Sequence, residues 1–146
     1  MKNNFAKKLI EWYKINRRDL PWRTTKDPYN IWVSEIILQQ TRIDQGTPYY
    51  LNFINRFPNV KKLAESTLDE LMKVCQGIGY YSRIVNMHKC AKIVVSDYNS
   101  NFPSKYDELI NLPGIGDYTA SAISSICSGE YKMVVDGNVV RLFSRL

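Results

Sequence analysis

The sequence predicts an all-α domain. Three observations carry this: apolar residues recur at three- and four-residue intervals along most of the chain, capping residues stand ahead of those runs, and the one strand-like run, Lys132 to Val135, is too short for a sheet. Phe5, Leu9, Trp12 and Tyr13 make residues 3–15 an amphipathic helix that stops before the basic stretch Asn16-Arg17-Arg18-Asp19-Leu20-Pro21. Asp27 suits the cap of the next helix and Pro28 its first position, where a missing N–H costs nothing, and this helix is expected to run to about Gln40. Helices over 44–56 and 60–65 follow, parted by Phe57-Pro58. Thr67-Leu68-Asp69-Glu70 reads as a capping box and opens a helix ending at Gly77. Ile84, Met87, Ala91, Val94 and Val95 form one stripe of a long helix over 81–98, closed by the turn Asn99-Ser100-Asn101-Phe102-Pro103. Ser104 is expected to cap a short helix over about 105–111, and after Leu112-Pro113-Gly114-Ile115-Gly116 the chain is helical again over 117–128. Asn138 to Leu146 is apolar-periodic with no stop signal, so the chain is expected to end where a longer protein continues.

A chain of 146 residues buries ~70% of its extended-chain surface without help from disulfides or metals. Hydrophobic residues at 45% and charged residues at 23% exclude disordered, collagen-like and low-complexity classes. The net charge of +6 suits a polyanionic partner, and equally suits simple solubility. Cys75, Cys90 and Cys127 are odd in number, lie 15 and 37 residues apart and form no C-x-x-C, so no disulfide framework and no closed zinc or iron-sulfur site is supported, and a reducing compartment is expected. The lone His88, in Asn86-Met87-His88-Lys89, reads as an exposed helix histidine. No apolar run approaches the ~20 residues of a membrane span, and Met1-Lys2-Asn3-Asn4 leads into an amphipathic pattern, not a signal peptide.

Two Gly-x-Gly turns echo one another 37 positions apart, Gly77-Ile78-Gly79-Tyr80-Tyr81-Ser82 and Gly114-Ile115-Gly116-Asp117-Tyr118-Thr119. In the second, both glycines are free to take positive φ, and free N–H groups beside the following helix would make a concavity for a phosphate. An ordinary αα-hairpin uses glycines in the same way. Leu112 and Ile115 as apolar anchors favour a helix-hairpin-helix that grips the DNA backbone through Gly114, Ile115 and Gly116.

Two carboxylates stand in apolar company. Glu35 lies in Ile31-Trp32-Val33-Ser34-Glu35-Ile36-Ile37-Leu38, where its helical neighbours are Ile31, Trp32, Leu38 and Gln39. Burial there would raise its pKa, as a general acid near neutral pH requires; a position at the stripe's edge would let it snorkel to solvent or to an arginine. Asp136 closes Met133-Val134-Val135 and precedes Gly137-Asn138. By itself it reads first as the N-cap of the terminal helix, and second as an ionised carboxylate able to stabilise a developing positive charge. One protonated and one ionised carboxylate is the pairing that glycosidic cleavage through an oxocarbenium-like state uses.

Leu20-Pro21-Trp22-Arg23, Ser34-Glu35-Ile36-Ile37-Leu38-Gln39-Gln40-Thr41, Gly77-Ile78-Gly79-Tyr80-Tyr81, Leu112-Pro113-Gly114-Ile115-Gly116 and Val135-Asp136-Gly137-Asn138-Val139 occur in one order across nearly the whole chain. In this the sequence resembles MutY-type adenine DNA glycosylases of the helix-hairpin-helix superfamily. The resemblance implies a six-helix barrel plus the N-terminal helix, with the helical barrel over about 27–137 and a shortened terminal helix over 138–146. It also implies a monomer acting on double-stranded DNA that carries adenine opposite 8-oxoguanine or guanine; that substrate and the missing targeting signals lead to the expectation of a cytoplasmic, nucleoid-associated place if the source is bacterial. Relatives that also cut the strand carry a lysine where this chain has Tyr118, so monofunctional hydrolysis is implied. Glu35 matches the family's acid and Asp136 its charge-stabilising carboxylate, with Tyr118 and Asn138 in support. Arg18, Trp22, Arg23 and Leu38 match positions lining the adenine pocket, and Gln40 and Tyr80 match residues wedged into the stack near the opposing base. Thymine-mismatch relatives share a tyrosine at the hairpin, and a helix-hairpin-helix fragment that binds DNA without turnover is the alternative from another class. Family members continue with helices holding a four-cysteine iron-sulfur cluster and with a domain that helps recognise 8-oxoguanine. Cys75, Cys90 and Cys127 fall outside that pattern, so no cofactor and no metal is expected in this chain, and Phe5, Leu9 and Trp12 are expected to lie exposed.

Overall fold

The computed structural model describes residues 2–146, with side chains from residue 4 onward; nine α-helices, one 3-10 turn and no strand occur among the described residues. In chain order these are α1 (Lys2–Asn16), the 3-10 turn Pro21–Arg23, α2 (Pro28–Ile37), α3 (Ile43–Arg56), α4 (Val60–Glu65), α5 (Leu68–Val74), α6 (Tyr81–Asp97), α7 (Tyr106–Leu109), α8 (Asp117–Ser128) and α9 (Gly137–Phe143). Residues 129–136, which include the strand-like run Lys132 to Val135, have no regular structure.

The caps are local chemistry. Asp27 accepts the Tyr29 N–H at 2.9 Å, with Pro28 behind it at the first helical position. Both halves of the Thr67–Glu70 capping box form: Glu70 N–H donates to Thr67 Oγ1 at 3.1 Å, and Thr67 N–H to Glu70 Oε2 at 2.9 Å.

Two groups of helices build the core. In one, α6 packs across α4 and α5; in the other, α2 lies against α3, α8 and the 3-10 turn. Trp32, Phe53, Leu63, Leu71, Ile84, Met87, Leu109 and Ile123 are fully enclosed between them. Trp32 and Phe102 rings lie 4.7 Å apart, and the buried Tyr29 hydroxyl donates to Phe57 O at 2.6 Å, which removes the cost of enclosing a phenol. By contrast α1 exposes Phe5, Leu9, Trp12 and Tyr13, with the Phe5 ring edge-on to Phe143 of α9. Among the described residues no helix is long and apolar enough to cross a membrane.

Four expectations change. Helix α2 stops at Ile37, because Leu38–Gln40 turn and Gln40 takes a left-handed φ of 54°. Helix α5 stops at Val74, three residues before Gly77. Ser104 does not cap α7, whose N-cap is Lys105 without a side-chain bond; the Ser104 hydroxyl instead accepts from Ser128 at 2.8 Å. His88 is buried, and its Nε2–H donates to Ser66 O at 2.9 Å, so it pins α6 to the α4–α5 junction.

Candidate active site

A cavity of about 570 Å3 opens where α2, α3, α8, α9 and the 3-10 turn meet, lined by Trp22, Arg23, Glu35, Leu38, Gln40, Tyr118, Asp136 and Asn138 together with Gln39, Thr41 and Ile43. Its size lies in the range of pockets that enclose a small organic group such as a purine base.

Glu35 reaches the cavity from a helix otherwise almost wholly buried, between Ser34 and Ile36. Burial first, and the charge of Asp136 second, push its carboxyl up to about 6. Asp136 caps α9: Oδ1 accepts the Val139 N–H at 2.8 Å and Oδ2 accepts from Asn138 Nδ2 at 3.1 Å. These bonds, the Val139 amide foremost, hold its carboxyl below the usual range. Asn138 is itself oriented by Arg141, which donates to its Oδ1. Tyr118, in the first turn of α8, has its phenol pushed up to about 12 by burial and then by Glu35 and Asp136. It therefore stays a neutral phenol on the cavity wall that it shares with Glu35 and Asp136. Such a set supplies a proton from one side and a fixed negative charge from another.

The walls are positioned by packing. Trp22 sits edge-on to Tyr50 with ring centroids 5.2 Å apart, at the junction of the 3-10 turn with α3. A Cβ on Gly46 would stand 2.5 Å from Leu38 Cδ2, so a larger residue there would push the Leu38 tip from its place on the cavity wall. Arg23 donates to Arg18 O at 3.3 Å, and its guanidinium lies over the Tyr13 ring.

Of the ten side chains assigned to chemistry and base binding from sequence, the cavity gathers all but Arg18 and Tyr80. Arg18 is exposed and contributes only its carbonyl, to Arg23; the neighbouring Arg17 lines an adjoining cavity of about 360 Å3 that shares Trp22, Arg23 and Glu35. Tyr80 is exposed at the head of α6, its ring against the Arg83 guanidinium. Gln39 and Thr41, which flank Gln40 in the Ser34–Thr41 motif, and Ile43 two residues beyond it line the cavity without having been singled out from sequence.

At the hairpin, Leu112 and Ile115 are buried, as anchors should be, and Gly114 takes a φ of +75°. The Ile115 amide is not free: it donates to Leu112 O at 3.2 Å, which corrects its assignment as a phosphate donor. Helix α8 begins at Gly116 with no side-chain cap, which leaves its first-turn N–H groups for an outside acceptor.

Residues 33–146 match the model of the HhH-GPD superfamily base excision DNA repair proteins. The chain belongs to this family. Among relatives of the HhH-GPD chain, an adenine DNA glycosylase of Buchnera aphidicola subsp. Baizongia pistaciae is 44% identical over 97% of this chain and 40% of its own length. The human adenine DNA glycosylase is 38% identical over 97% of this chain and 28% of its own. This HhH-GPD chain thus spans well under half the length of the relatives it matches. A thermostable thymine-DNA glycosylase structure superposes with a TM-score of 0.89, at 29% identity over 97% of this chain and 65% of that one. An endonuclease III–DNA complex shares the fold with a TM-score of 0.80 at 22% identity.

The three cysteines do not fit an iron-sulfur cluster. Cys75 and Cys90 are buried thiols pushed up to about 12 by that burial, and among the described residues no three His, Cys, Asp or Glu side chains come together to hold a metal.

Proposed function

We propose that this chain is the catalytic core of a monofunctional DNA glycosylase that excises adenine mispaired with 8-oxoguanine or guanine, acting as a monomer on double-stranded DNA beside the nucleoid and holding no cofactor of its own. The observation that carries the reading is the pair of carboxyls on one base-sized cavity, one pushed up to about 6 and the other held low. The adenine leaves the stack at a cost of a few kcal/mol, because its glycosidic bond is out of reach inside the duplex. Glu35 gives its proton to purine N7, the C1′–N9 bond breaks with its electron pair passing to the base, and neutral adenine departs. Asp136 stabilises the oxocarbenium-like sugar until water adds at C1′ and loses its proton to solvent. Among the described residues no lysine lines the cavity, which supports hydrolysis without a Schiff base. Gly114, Gly116 and the uncapped start of α8 take the backbone phosphates.

Adenine is favoured over thymine because the adenine enzyme of Buchnera is 44% identical, against 29% for the thymine enzyme that shares the fold. The test is incubation with duplex carrying adenine opposite 8-oxoguanine, followed by alkaline cleavage of abasic sites. Product from the parent chain, abolished by Glu35→Gln and by Asp136→Asn, supports the reading. Salt-dependent duplex binding by a folded sample that never releases adenine overturns it and leaves a DNA-binding module.

A further inference from the structure

Arg83, in the first turn of α6, is only 8% exposed and forms no ion pair among the described residues. A buried guanidinium without a carboxylate turns its donors to backbone, and here the two Nη groups do so while Nε has no partner among the described residues. Nη1 donates to Ile36 O at 3.1 Å and Gln39 O at 2.5 Å, with Ile37 O at 3.5 Å; Nη2 donates to Ile78 O at 3.3 Å and Gly79 O at 3.5 Å. Ile36 and Ile37 stand at the end of α2, the negative end of its dipole, and Gln39 follows in the turn beyond it. The other two belong to the Gly77–Tyr80 turn. One planar fork therefore joins two segments that are distant in sequence.

Each segment ends in a strained corner. Gln40 follows Gln39 with a φ of 54°, and Tyr80 follows Gly79 with a φ of 48°. A left-handed non-glycine residue is strained and persists only where its surroundings fix it. Arg83 supplies that constraint to both, and its guanidinium also lies 5.7 Å from the Tyr80 ring centroid. Neighbouring bonds hold the rest of the turn: Tyr49 Oη donates to Gln76 O and Gly77 N–H to Tyr81 Oη, each at 2.9 Å.

We propose that Arg83 is a positioning residue that sets Gln40 and Tyr80 against each other as one wedge, and so fixes which base is accepted opposite the excised adenine. It acts through those two side chains and not on the reacting atoms. The assignment rests on the glycosylase reading above. A lysine keeps the charge and loses the fork, so it cannot hold both sets of carbonyls at once.

Arg83→Lys and Arg83→Met are compared with the parent chain and with Tyr80→Ala, whose exposed side chain carries no core packing. Single-turnover cleavage is measured with adenine opposite 8-oxoguanine and opposite cytosine. The expected result is a fall of about tenfold or more in the ratio of the two rates for Arg83→Lys, matching Tyr80→Ala, as misplacement by a fraction of an ångström commonly costs. A fluorescent base beside the opposing base reads wedge insertion on binding alone, in the Glu35→Gln background, and its signal is expected to drop in the Arg83 variants. An unchanged ratio together with an unchanged fluorescence signal in folded Arg83→Lys overturns the assignment. A parent chain that releases no adenine overturns the glycosylase reading instead, and the fluorescence measurement then decides the role of Arg83 by itself.

Discussion

Asp136 raises Glu35 while keeping its own charge: the Val139 amide at the start of α9 holds Asp136 ionised, and that fixed charge adds to burial in pushing Glu35 up to about 6. The proton donor is thus made by its partner as well as by its apolar setting. Replacing Asp136 by Asn removes the second cause, so the Glu35 midpoint moves down from about 6. Carboxyl carbon NMR of the parent and the Asp136→Asn variant measures this, and an unmoved midpoint would show that burial acts alone.

Catalysis should carry the same midpoint. Glu35 acts only while protonated, so the single-turnover rate is expected to hold below about 6 and fall tenfold per pH unit above it. A profile flat from 5 to 8 would remove Glu35 as the acid.

The same group makes stability depend on pH. Its folded value of about 6 lies above the ordinary 4.5, so the folded state binds the extra proton and stability falls as pH rises through that window. The loss is about 2 kcal/mol, complete above about 7 and absent below about 4. Glu35→Gln is therefore expected to raise the melting temperature by several degrees at pH 8 and to leave it nearly unchanged at pH 4. Equal effects at both would place the gain in packing.

Asp136 has two roles that substitution separates. Asn keeps a cap for the Val139 amide, whereas Ala loses it at about 1 kcal/mol. Both variants are expected to lose adenine release, and only Asp136→Ala to weaken α9, as hydrogen exchange at Val139 and Val140 would report.

At the hairpin the two glycines differ. A Cβ on Gly114 would stand 2.8 Å from Asn86 Cβ at a φ of +75°, while one on Gly116 meets nothing within 4 Å. Gly114→Ala is expected to destabilise the fold by about 1–3 kcal/mol, and Gly116→Ala by less than about 0.5 kcal/mol. Duplex affinity lost in Gly116→Leu at unchanged melting temperature would report crowding against the phosphate.

What the sequence made legible was whatever local chemistry decides. The Asp27 and Asp136 caps, the Thr67–Glu70 box and the apolar stripe around Glu35 all rest on neighbours within four residues. The misses rest on partners from afar. His88 is buried because Ser66 offers a carbonyl, Ser104 loses its cap role because Ser128 takes its hydroxyl, and Arg83 is buried because the end of α2 needs donors. No glycine or proline announces the end of α2, and Gln40 adopts its left-handed turn under tertiary constraint.

The two halves of the carboxyl pair stand on unequal ground. Glu35 rides on α2, seven of whose ten residues are buried, whereas α9 beyond Asp136 has no buried residue and follows an irregular segment. An opening of α9 would leave the core intact and return the acid, without its counter-charge, toward the midpoint that burial alone gives it. A ligand that touches Asp136 would draw such an opening closed, so part of its affinity would be spent on completing the site it enters.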